Sequence, residues 1–302
     1  MQISSMAATQ PTAHTFDTPS LRIAYERRGP ATAPAVLLLH GFPDDLRTWD
    51  AVAEQLVAAG YQTIMPSMRG CAGSIFLDSN TPRSGQVTAL AQDAIDLLDH
   101  LGLDKVVLVG HDWGARAAYV LAALWPERIE RLVAVSVGYE TGSKPGNELN
   151  IEQVHAYWYQ WFFHSERGRE MLQGNRREFS RYLWHLWSPA WQFSEATFER
   201  TAASWDNPDW VEVVLHSYRF RWGAAAPDPR YAALEARLQP QPLIGVPTTV
   251  LHGAQDGAAL VASSEGKEQF FSGPYARRVL PGVGHYVPRE APIAIVAAVL
   301  AG

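Results

Sequence analysis

The sequence of 302 residues holds one cysteine, Cys71, so no intrachain disulfide can brace the fold. It contains no apolar run of about 18 residues, the length a membrane-spanning helix needs. The stretch from Met1 to Ser20 lacks a basic segment followed by an apolar one and does not read as a secretory signal. Positive charge is in deficit, with 25 Lys and Arg against 31 Asp and Glu. A net charge of −6 gives no footing for nucleic acid or an anionic membrane surface. His155, His164, His185 and His216 fall into no HxxxH or HExxH spacing, so no metal is inferred. Internal repeats and low-complexity tracts are missing too. These absences lead to the expectation of a soluble, cytoplasmic protein; a small-molecule substrate and a monomer or homodimer are expected as well.

What is present fits a folded chain. Apolar residues make up 47% and charged residues 19%. Val36 to Leu39, Tyr61 to Met65, Val106 to Val109 and Ile129 to Val137 read as buried strands. Helical patterns lie between them at Thr48 to Ala59, Val87 to Leu101 and Ala115 to Leu124. Strands alternating with helices imply a parallel sheet with helices on both faces. Ser20 to Glu26 alternates as an edge-like antiparallel strand. From Tyr139 to about Gly223 no clean strand occurs, and eight of the eleven tryptophans gather there. Val154 to Phe163 and Arg176 to Trp187 read as aromatic-rich helices. Arg221 to Pro242 is the return connection. The core pattern then resumes with strands at Val246 to His252 and Ala276 to Leu280, and helices at Leu260 to Phe271 and Ile293 to Leu300. The division expected is a flexible leading segment (1–19), a first part of the core (20–138), a helical cap (139–225) and a second part of the core (226–302).

The chemistry centres on Gly110-His111-Asp112-Trp113-Gly114, squeezed between a strand and a helix. Small residues on either side of an acid describe a sharp turn that thrusts Asp112 outward. An elbow of this kind usually carries serine, and a serine needs a neighbouring base. An ordinary aspartate is already an anion at neutral pH. A carboxylate attacks esters and amides poorly. It does attack a strained or polarised sp3 carbon bearing a leaving oxygen or halogen. The product is an ester that water can cleave, whereas a serine would end as a dead ether. Asp112 could also be a plain helix N-cap, Asp256 a turn residue and His285 an ordinary loop histidine. Asp256 and His285 each follow a strand, as Asp112 does, and so fall on the same sheet edge.

With His40-Gly41-Phe42-Pro43, the Leu251-His252-Gly253-Ala254-Gln255-Asp256 turn and Gly284-His285, the chain resembles the α/β-hydrolase fold family from about residue 20 onward. Within it the chain is similar to the epoxide hydrolase and haloalkane dehalogenase group, closest to the epoxide hydrolases. The resemblance implies a mostly parallel central sheet, helices on both faces and an inserted helical cap. It implies Asp112 as nucleophile, Asp256 and His285 as its acid and base, and the backbone N–H groups of Phe42 and Trp113 as an oxyanion hole. Two lid tyrosines over the epoxide oxygen would be Tyr159, in Trp158-Tyr159-Gln160-Trp161, and Tyr218, in His216-Ser217-Tyr218-Arg219. Tyr157 is the other register for the first of them, and Tyr139, Tyr182 and Tyr231 are weaker candidates. Phe42, Trp113, Trp158, Tyr159 and Tyr218 would line the substrate site. Phe42–Pro43 is the X–Pro bond at which a cis peptide is expected. No metal or organic cofactor is needed. The implied reaction opens an apolar or aryl epoxide to a vicinal diol. A dehalogenase acting on a haloalkane or halo-acid is the alternative; Phe42, with no side-chain donor for a halide, speaks against it. A hydrolase-fold binding protein without turnover is the third possibility.

Overall fold

The computed structural model describes residues 12–139 and 151–301. The strands are β1 (Thr12–Asp17), β2 (Leu21–Arg28), β3 (Ala35–Leu39), β4 (Gln62–Pro66), β5 (Ile75–Phe76), β6 (Val106–His111), β7 (Ile129–Val135), β8 (Thr248–Gly253) and β9 (Tyr275–Leu280). They form one sheet in the order β1-β2-β4-β3-β6-β7-β8-β9, with β5 beside β2. Pairing is antiparallel around β2 and parallel from β4 through β9.

The central strands are apolar throughout because both sheet faces are covered. Successive side chains point to opposite faces. Ala35, Leu37, Leu39, Val106 and Leu108 join one core, with helices α2 (Val87–His100) and α3 (Trp113–Leu124). Val36, Leu38, Val107 and Val109 join the other, with α1 (Asp50–Ala58), α10 (Val287–Glu290) and α11 (Pro292–Leu300). Between β7 and β8 the chain leaves the sheet. It builds α4 (Ile151–Ala156), α5 (Trp158–Phe162), α6 (Glu166–Trp187), α7 (Glu195–Ala202) and α8 (Trp210–Arg221), then returns through α9 (Ala232–Leu238). The hydroxyls of Ser165 and Ser194 cap α6 and α7 by accepting from Gly168 and Thr197 amides at 3.1 Å each.

Four expectations need correction. Residues 12–17, expected in a flexible leading segment, form β1, so β2 is interior to the sheet. Its order comes from pairing with β2 and from His14 stacked on Tyr25 and Phe16 stacked on His100. Leu260 to Phe271 is no helix but two 3₁₀ turns, Val261–Ser264 and Glu268–Phe270, with Gly266 at φ 63° between them. Val154 to Phe163 is broken at Tyr157 into α4 and α5. The return connection contains α9, which the prolines around it hid.

Candidate active site

The elbow forms where β6 meets α3. Asp112 sits at φ 51° and ψ −113°, a conformation few non-glycine residues hold. The turn closes because its neighbours lack side chains. A Cβ on Gly110 would lie 2.3 Å from the Gly114 carbonyl oxygen, and one on Gly114 would lie 2.1 Å from that of Leu39. Asp112 caps no N–H of α3 with its side chain. The helix-cap reading is therefore set aside. Instead, Oδ1 accepts the Phe42 amide at 3.0 Å. Phe42 lies in the loop after β3, and its bond to Pro43 is cis. Trp113 opens α3, so its amide lies in the turn whose N–H groups have no intrahelical acceptor.

His285 comes from the loop after β9 and Asp256 from the loop after β8. The imidazole Nδ1 lies 2.9 Å from Asp256 Oδ2. Its Nε2 lies 3.9 Å from Asp112 Oδ2, is buried and has no hydrogen-bond partner within the described structure. The Asp256 carboxylate is fixed from its other side by the amides of Ala258 and Ala259 at 2.8 and 2.9 Å. Burial by itself would raise the Asp256 pKa. The His285 charge and hydrogen bonds from His252 and His285 outweigh it and hold the group well below the ordinary carboxylate range. Burial likewise pulls His285 down, but Asp256, and then Asp112, carry it above the ordinary histidine value of 6.5.

Several residues that position this loop were not picked out from the sequence. The His285 carbonyl accepts from His111 Nε2 at 2.9 Å and from the Ser136 hydroxyl at 2.8 Å. Its amide donates to the Trp187 carbonyl at 3.0 Å. Glu290 accepts the Gly284 amide at 3.0 Å and the Ser188 hydroxyl at 2.6 Å. His111 is held neutral: burial, and then the nearby His285, push its pKa down to about 4. His111, Ser136, Trp187 and Ser188 act on segments about a hundred or more residues away in sequence, so no local pattern marks them; Glu290 lies only six residues past Gly284.

Tyr159 on α5 and Tyr218 on α8 meet edge to face, with ring centroids 5.3 Å apart. Tyr159 oxygen accepts Gln160 Nε2 at 2.9 Å, and Tyr218 oxygen accepts the Trp113 indole N–H at 3.1 Å. Burial, reinforced by the Asp112 charge, raises both phenols above the ordinary 10, so both keep their protons. The Phe42 ring fills the wall between them, 5.5 Å from Trp113 and Tyr218 and 6.2 Å from Tyr159, Phe163 and Trp187.

Trp158 meets Tyr159 edge to face at 6.3 Å and otherwise packs on Phe179 and the exposed Tyr182, whereas Trp187 and Phe163 are the rings that touch both Tyr159 and Phe42. Of the other tyrosines, Tyr139 donates to the Pro242 carbonyl, Tyr231 accepts from Arg69 and Tyr182 is exposed, whereas Tyr157 packs on Trp222 and lies near enough to Tyr159 to help raise its pKa.

Fold and elbow together define a hydrolase architecture, and the comparisons agree. The model of the alpha/beta hydrolase fold family matches residues 34–292, and the chain belongs to that family. Among solved structures it is similar to "a putative epoxide hydrolase" from Klebsiella pneumoniae subsp. pneumoniae, 41% identical over 96% of both chains, with a TM-score of 0.91. Epoxide hydrolase A of Mycobacterium tuberculosis is 25% identical over 96% of both chains. Epoxide hydrolase 2 of Siraitia grosvenorii is 41% identical over 111 residues, which are 36% of this chain and 34% of that protein. The chain thus matches about a third of the length of that plant relative.

Proposed function

We propose that this protein is an epoxide hydrolase that works through an Asp112 alkyl-enzyme ester. Tyr159 and Tyr218 hold the epoxide oxygen. Asp112 attacks a ring carbon, forming a C–O bond as the ring C–O bond breaks, and a phenol gives its proton to the departing oxygen. His285 then takes a proton from water, whose oxygen adds to the ester carbonyl. The developing oxyanion is met by the Phe42 and Trp113 amides. Collapse expels the diol oxygen, which takes the proton back from His285. The proton left on the regenerated Asp112 carboxyl restores the tyrosine.

One observation carries this reading: two buried phenols meet edge to face, 5.3 Å apart, against the Phe42 and Trp113 rings beside Asp112, and each accepts one fixed N–H. An alkoxide leaving group needs such donors; a halide does not. The Trp113 indole N–H, the donor a halide would need, is already engaged by Tyr218. The decisive measurement is the intact mass of a His285→Gln variant after exposure to an aryl epoxide and, separately, to haloalkanes and a halo-acid. Ring opening predicts a gain of the whole epoxide mass, abolished by Asp112→Asn. A gain of substrate minus hydrogen halide moves the protein to the dehalogenase class. No adduct from folded protein supports a binding protein instead.

A further inference from the structure

Gln160 is fully buried in α5, next to Tyr159 in sequence. Its Oε1 faces the Trp222 indole N–H at 2.8 Å and Arg221 Nη1 at 3.4 Å. Both of those groups can only donate. The amide therefore cannot flip, and its NH₂ must point at the Tyr159 oxygen, 2.9 Å away. On the other phenol the Trp113 indole N–H, also donor only, occupies the Tyr218 oxygen. Each phenol thus accepts one fixed N–H, and its own proton must point elsewhere. We infer that Gln160 is a positioning residue that aims the Tyr159 proton at the substrate oxygen and supports the phenolate left when that proton is transferred.

This rests on the epoxide-opening role proposed for Tyr159, and the two can be separated. Gln160→Glu keeps the side-chain size and the acceptor for Trp222 and Arg221, but offers Tyr159 an acceptor oxygen. The phenol proton then turns away from the substrate. Gln160→Met removes the donor without adding charge and carries the test should the Glu variant fail to fold. Rapid mixing with an aryl epoxide, followed by intact mass at each time point, reads ester formation and ester hydrolysis separately. Both variants are expected to slow ester formation by roughly 10²-fold, the low end of general acid catalysis, and to leave ester hydrolysis unchanged. In a Tyr159→Phe background they should add less than about twofold, because residues acting through one group are not additive. If Tyr159→Phe slows ester formation but the Gln160 variants do not, or if they cost as much in its absence, the positioning role is wrong while the tyrosine role stands. If Tyr159→Phe itself leaves ester formation intact, both readings fall together.

Discussion

The backbone of Asp112, at φ 51°, turns its carboxylate off the helix it precedes and onto the Phe42 amide. His285 is gripped from the other end, by Asp256 at Nδ1, so that Nε2 is left to face Asp112. The two residues should therefore respond differently to pH. In the base role proposed for it, His285 works only when neutral, and its pKa is raised above the ordinary 6.5. Ester hydrolysis should fall as pH drops through that raised value, while ester formation should not follow it. Once Asp112 is esterified its charge is gone, so Asp256 alone among these two carboxylates sustains the rise. Asp256→Asn should lower the inflection and slow hydrolysis of the ester by roughly 10²- to 10⁴-fold. Single-turnover ester decay from pH 5 to 9 checks this; an unmoved inflection would mean that Asp256 does not tune the base.

Elements were legible wherever burial wrote itself into consecutive residues. β3 and β6 are apolar at every core position because helices cover both faces of the sheet, and the sharp turn that carries Asp112 follows from two glycines at fixed spacing. Less legible was anything held by a distant partner. β1 is polar and short, and only its ladder with β2 orders it. Trp158 and Trp187 look alike in sequence, yet one is half-buried between Tyr159, Phe179 and Tyr182 while the other is buried against the His285 ring at 5.2 Å, a choice set by how α5 and α6 pack. Glu290 and Gln160 each sit close in sequence to one partner, Gly284 and Tyr159, but the Ser188 hydroxyl and the Trp222 indole N–H that fix their side chains come from segments far along the chain. At this scale the sharpest prediction concerns α3. Its first turn approaches β3 so closely that Gly114→Ala would drive a Cβ to 2.1 Å from the Leu39 carbonyl oxygen. Because that contact is backbone, no side chain can swing aside. The variant should lose at least about 1–3 kcal/mol in urea unfolding. The same change at Gly174, where a Cβ would meet nothing within 4 Å, should cost no such clash.

The inserted helices and the sheet are joined at a buried polar seam just past Phe42. Arg289 on α10 donates to both oxygens of Asp44 and, at 2.8 Å, to the Thr201 hydroxyl of α7. Asp45 accepts from the hydroxyls of Thr201 at 3.1 Å and Ser204 at 2.6 Å. The Trp184 indole N–H of α6 donates to the Pro43 carbonyl at 3.3 Å. One seam therefore joins the Phe42 loop to α6 and α7 of the insert and to α10, the helix that follows His285. Its charges are unequal. Arg289 keeps Asp44 ionised despite burial, whereas burial and the Asp44 charge push Asp45 up to about 7. A carboxyl with a raised pKa binds its proton more tightly in the folded state than in the unfolded chain, where the ordinary value is 3.8. Its contribution is complete below that value and is lost as pH rises through about 7. Asp45→Asn keeps an acceptor for Ser204 or Thr201 and cannot ionise. The variant should therefore gain stability relative to the parent between pH 5 and pH 8. Urea unfolding of both proteins at the two pH values reads the difference directly. An identical change in the two proteins would show that Asp45 keeps one protonation state in the seam throughout that range, and that the grip of the inserted helices on the sheet is insensitive to it.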